Sequence, residues 1–80
     1  MVVVHRAFGM RFIIYKDDHE PAHVHVRGDG EVKVVLVGPD GDPKIVKREG
    51  EMTRADERRI LREIGKRQFE LLRHWKQIHG

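Results

Sequence analysis

The amino-acid pattern predicts an α+β fold, an antiparallel sheet of four to five strands with one long C-terminal helix packed on one face. Three observations carry this reading. Short runs rich in valine and isoleucine alternate apolar with polar residues across positions 1–50, and glycine-centred turns punctuate them. From Thr53 onward the apolar residues recur at three- and four-residue steps instead. With 80 residues, the chain reads as a single domain, 1–80. A domain this small buries only about 60% of its unfolded surface, so oligomerisation is an expected help.

Val2-Val3-Val4-His5-Arg6 suits a first or edge strand, and Met10 to Lys16 suits a second with a mostly buried face. Gly9 between them predicts a tight antiparallel hairpin. Asp17 to Pro21 is a loop, because aspartate favours turns and Pro21 lacks the amide a central strand needs. Ala22 to Arg27 follows as a strand whose side chains alternate, with Ala22, Val24 and Val26 on one face and His23, His25 and Arg27 on the other.

The turn at Gly28-Asp29-Gly30 leads into Glu31 to Val37, and its length sets the register. A two-residue loop would place His25 opposite Val34 and mix polar with apolar side chains on each face. A three-residue loop, with Gly30 left-handed as a bulge, pairs Arg27 with Glu31, Val26 with Val32, His25 with Lys33 and Val24 with Val34. Every pair then agrees in character. After the turn cluster Gly38 to Pro43, Lys44-Ile45-Val46-Lys47 makes a brief fifth strand.

Thr53 is the expected N-cap of the helix, with Asp56 and Glu57 complementing its dipole. Ile60, Leu61, Ile64, Leu71, Leu72, Trp75 and Ile78 form the apolar stripe, which Phe69 flanks. A continuous helix from Arg54 to His79 would run about 39 Å, against about 20 Å for a six-residue strand. The sheet cannot cover that length. Either Gly65 marks a break, or the far half, with Phe69, Leu72, Trp75 and Ile78, meets a partner chain; the partner surface is the favoured expectation.

Composition narrows the chemistry. No cysteine is present, which excludes disulfides and thiolate zinc sites. The opening apolar run is too short for a signal peptide and nothing downstream could span a bilayer, so a cytoplasmic location without membrane contact is expected. A formal charge of +3 among 36% charged residues permits nucleic-acid binding without demanding it.

Gly9-Met10-Arg11-Phe12-Ile13-Ile14-Tyr15, then Asp18-His19-Glu20-Pro21-Ala22-His23-Val24-His25-Val26, Glu31-Val32-Lys33-Val34 and a terminal helix with Trp75 resemble a bacterial family known as domain of unknown function 4160. The likeness spans nearly the whole chain. Its most diagnostic part is the aspartate-histidine, proline and histidine-x-histidine pattern, although the family often has a second proline where this chain has Ala22. The resemblance implies no activity. It implies a component of a two-gene bacterial module of toxin–antitoxin type, with a small antitoxin-like partner protein.

Three readings of the histidines follow. In the first, His23 and His25, with His19 able to replace either, act as general acid and base of a metal-independent ribonuclease, while Arg27 and Lys33 hold the phosphate. No cofactor is needed there. In the second, His23 and His25 chelate zinc or another divalent metal, with His19, Asp18 or Glu20 as third ligand, although Arg27 and Lys33 put positive charge nearby. In the third, the imidazoles brace a turn or line an interface with the partner protein or a second copy of the chain. His5, His74 and His79 are read as incidental surface residues. The basic helix residues Arg58, Arg62, Lys66 and Arg73 alternate with Glu57, Glu63 and Glu70, as on an ordinary solvated helix.

Overall fold

Phe8 and Gly9, with φ of 58° and 73°, close the first hairpin as a two-residue turn between Ala7 and Met10. Positive φ at both central positions matches the turn twist to that of the flanking strands. The computed structural model describes residues 1–80 and builds on this hairpin a meander of five antiparallel strands in chain order: β1 (Val2–Ala7), β2 (Met10–Ile14), β3 (His23–Arg27), β4 (Gly30–Val35) and β5 (Lys44–Gly50). Two helices follow, α1 (Arg54–Lys66) and α2 (Gln68–His79). The antiparallel α+β architecture is as expected, and the brief fifth strand is longer than the Lys44–Lys47 anticipated.

The β3–β4 register pairs Arg27 with Glu31, Val26 with Val32, His25 with Lys33 and Val24 with Val34, the arrangement that chemical matching of the pairs predicts. Its turn differs in one respect. Gly30 is not left-handed; Gly50, its partner across β4 and β5, has φ 75° instead. Gly30 is needed for closeness, because a Cβ there would lie 2.6 Å from the Glu49 carbonyl oxygen.

Phe12, Ile14, Val24, Val26, Val32, Val34 and Leu36 on one sheet face meet Ile60, Ile64, Leu71 and Trp75 from the helices in one core. The side chains between them in sequence stand on the opposite face, where Ile13 is fully buried and the His23 ring packs on Trp75 of α2 at one end, while Arg6, Arg11 and Arg27 are exposed at the other. Arg6, Arg11, Arg27, Glu31 and Glu49 make one row across all five strands there, and Ile13, His25, Lys33 and Lys47 make the next.

The single long helix is corrected to two. The break falls at Arg67, whose φ of −114° leaves the helical range, and not at Gly65, which lies within α1. Tertiary bonds on both sides explain it. Before the break, Glu63 Oε2 accepts from His5 Nε2 on β1 at 2.6 Å and from Arg67 Nε at 2.9 Å. After it, Gln68 Nε2 donates to the Leu36 and Gly41 carbonyls at 2.7 and 2.9 Å. The bend lets both halves reach a sheet shorter than one straight helix, with Ile60 and Ile64 from α1 and Leu71 and Trp75 from α2 all buried. Thr53 caps α1 as expected, accepting from the Asp56 amide at 3.0 Å. No helix is long and apolar enough to cross a membrane.

Candidate functional site

The loop between β2 and β3 brings an aspartate onto the histidine strand. Asp18 is fixed twice to Tyr15, its amide donating to the Tyr15 carbonyl at 3.1 Å and its Oδ2 accepting from the Tyr15 amide at 3.2 Å. This closed turn aims Oδ2 at two imidazoles. It lies 3.2 Å from His23 Nε2 and 3.5 Å from His25 Nε2.

His23 is 3% exposed. Its Nδ1 donates to the Pro21 carbonyl at 2.8 Å, which orients the ring and turns Nε2 toward Asp18. Its ring packs 5.2 Å from the Trp75 ring, and the Trp75 Nε1 donates to Glu20 at 3.1 Å, tying α2 to the loop. His25 stands beside it, ring centroids 5.1 Å apart, with the Tyr15 ring edge-on at 4.9 Å. Both of its ring nitrogens are shut from solvent and neither makes a hydrogen bond. Nδ1 faces Glu31 Oε2 at 3.4 Å, and the other oxygen of Glu31 takes Arg27 Nε at 2.9 Å.

Of the residues singled out from sequence, His23, His25 and Asp18 converge, so that their donor atoms lie within 4.8 Å of one another. His19 is exposed and stands outside this group. The space expected for a phosphate between the two histidines is bridged by the Asp18 carboxylate, and Arg27 is engaged by Glu31 rather than free. Lys33 sits opposite His25 with no carboxylate in ion-pair range.

The helix residues expected at a partner surface divide. Trp75 is 5% exposed in the chain's own core, with Leu72 and Ile78 packed against it, while Phe69 remains 83% exposed. Two histidines read as incidental have structural tasks: His5 bonds Glu63, and His79 stacks on Trp75 at 3.9 Å with its nitrogens 3.0 and 3.2 Å from the Trp75 and Tyr15 carbonyls.

Sequence reasoning also passed over Arg6 and Arg11, which align with Arg27 on the open face. The signal was present. Arg11 alternates with the buried Met10 and Phe12, and the Gly9 hairpin places Arg6 across from it. Both guanidiniums are without a carboxylate partner and both residues are exposed.

The family model described as Domain of unknown function (DUF4160) matches residues 9–76. Neither the curated proteins nor the solved structures contain a match to this chain. The matched span holds the histidine strand, the Asp18 loop and Trp75 together, and covers well over half of the sequence: the chain belongs to the DUF4160 family.

Proposed function

We propose that the chain is a binding module of a two-gene system rather than an acid–base ribonuclease, and that its ligand is an RNA backbone held on the open sheet face. The observation that carries the first half is the closure of the histidines. A general acid or base must reach the substrate proton within hydrogen-bond range. His23 spends one nitrogen on the Pro21 carbonyl and turns the other toward Asp18, and both nitrogens of His25 are inaccessible.

The open face supports the second half. Arg6 stands directly opposite Arg11, Arg11 opposite Arg27, and Lys33 opposite Lys47. Like charges in such cross-strand positions destabilise a sheet, so their presence fits a surface that meets an anion. Glu31 and Glu49 stand on the same face and pair with Arg27 and Lys47, which leaves Arg6, Arg11 and Lys33 as its cations without a carboxylate partner, whereas on the helices Asp56 bonds Arg59 and Glu63 bonds Arg67. Arg11 and Arg27 also line a cleft of about 420 Å³ at the end of the sheet, and Tyr15 offers an aromatic ring beside the cationic rows.

Fluorescence anisotropy with a labelled single-stranded RNA, across a salt series, tests this. Binding should weaken linearly in log–log form, and Arg11→Ala should reduce the slope by about 0.7, the value of one phosphate contact on a single strand. RNA cleavage abolished by His25→Ala, or binding indifferent to Arg6 and Arg11, would contradict the proposal.

A further inference from the structure

We infer that Asp18, His23 and His25 form a binding site for a single divalent transition-metal ion of the zinc type, independent of whether the sheet face takes RNA. The distances point to a metal more than to hydrogen bonds. A charge-assisted N–H···O⁻ bond closes to about 2.7–2.9 Å. Ligand atoms about 2.0–2.1 Å from a tetrahedral zinc are held about 3.3 Å apart. Asp18 Oδ2 is 3.2 Å from one imidazole nitrogen and 3.5 Å from the other. Two edges of the donor triangle thus already have the length a shared ion imposes. The third, between the imidazoles, spans no more than 4.8 Å and needs a rotation of the His25 ring, which no hydrogen bond restrains.

The outer partners are those a metal-bound imidazole uses. A ligating histidine donates its other ring N–H to a carbonyl or carboxylate, which fixes the tautomer and raises ligand basicity. His23 Nδ1 donates to the Pro21 carbonyl, and His25 Nδ1 faces Glu31. His25 otherwise poses a problem, since both ring nitrogens give up their hydrogen bonds to water on burial and gain none in return. An ion on Nε2 with the proton on Nδ1 gives both nitrogens an occupation.

The repulsion expected from Arg27 is offset by its ion pair with Glu31. Lys33, opposite His25, and Lys76, beside Asp18 in the adjoining cleft, have no carboxylate partner and lower the affinity without supplying or blocking a donor. Asp18 also lines a cleft of about 390 Å³ with His19, Glu20, Trp75, Lys76 and His79, which gives an ion a way in. Three protein ligands of this type leave one position of a tetrahedral ion for water or an added ligand.

The test is calorimetric titration of the full, tag-free chain with zinc chloride, paired with the visible spectrum of the cobalt-loaded protein. One zinc per chain, a raised melting temperature and the visible bands of tetrahedral cobalt are expected. Asp18→Asn and His25→Gln, each checked for folding by circular dichroism, should weaken zinc by more than the roughly 10- to 100-fold typical of losing an outer partner alone. His19→Ala should leave it unchanged. Absence of stoichiometric zinc and of cobalt bands in the unsubstituted chain would overturn the site, as would zinc binding that His19→Ala removes and Asp18→Asn spares.

Discussion

The molecule contains the same trio of groups twice. At the junction of β1 and α1, His5, Glu63 and Arg67 meet with contacts of 2.6 and 2.9 Å. On the open sheet face, His25, Glu31 and Arg27 meet with contacts of 3.4 and 2.9 Å. The guanidinium–carboxylate half is alike in both. The imidazole half is a short hydrogen bond in the first and no bond at all in the second. One trio is a finished brace that holds a strand to a helix. The other leaves an imidazole uncommitted beside a second histidine and an aspartate, which is why chemistry is assigned to the second and stability to the first.

The largest effect that separates them is on folding. Glu63→Gln weakens two charge-assisted bonds across a part-buried contact and should cost about 1.5–3 kcal/mol in urea denaturation. Glu31→Gln, which disturbs an ion pair to the half-exposed Arg27, should cost under about 1 kcal/mol. Equal losses would erase the distinction drawn here.

Acidification sharpens the comparison next. Bonds from Arg67 and then His5 hold the Glu63 carboxyl below its ordinary value of 4.5, with burial opposing them. A lowered folded pKa means that the unfolded chain takes up the proton first, so this stability is full above pH 4.5 and is lost as pH falls from there through the depressed value. Melting temperatures below pH 4.5 should therefore fall less steeply in Glu63→Gln than in the parent.

A smaller effect concerns Lys33. Removing an uncompensated cation near the metal donors, as in Lys33→Ala, should tighten zinc several-fold, by about 1 kcal/mol at an exposed-site dielectric. Calorimetry reads this directly, and weaker binding would place Lys33 among the groups that support the site.

These contrasts also mark how much could be read in advance. The β3–β4 register was legible because every cross-strand pair in it matches in character, and that match put His25 and Lys33 together on one face. The helix break was not legible, because its causes are tertiary: Gln68 reaches carbonyls 32 and 27 residues away in sequence, and Glu63 is bonded by a residue from β1. The burial of Trp75 in the chain's own core goes with it, since the bend lets α2 reach the sheet, while the apolar stripe had already placed Trp75 beside Leu71 and Leu72. In the site, the histidine pair was visible as an alternating motif. The choice of Asp18 over His19 rested on a loop closed by paired Tyr15 contacts, a conformation that residue spacing does not encode.

The most direct measurement is a long-range ¹H–¹⁵N spectrum of the histidine rings, recorded before and after one equivalent of zinc. The account predicts that Nε2 of His23 and of His25 shift to metal-bound positions while both keep a protonated Nδ1, and that the His5 ring, already bonded to Glu63, does not move. Zinc that leaves His23 and His25 unshifted, or that moves His5 instead, would contradict it.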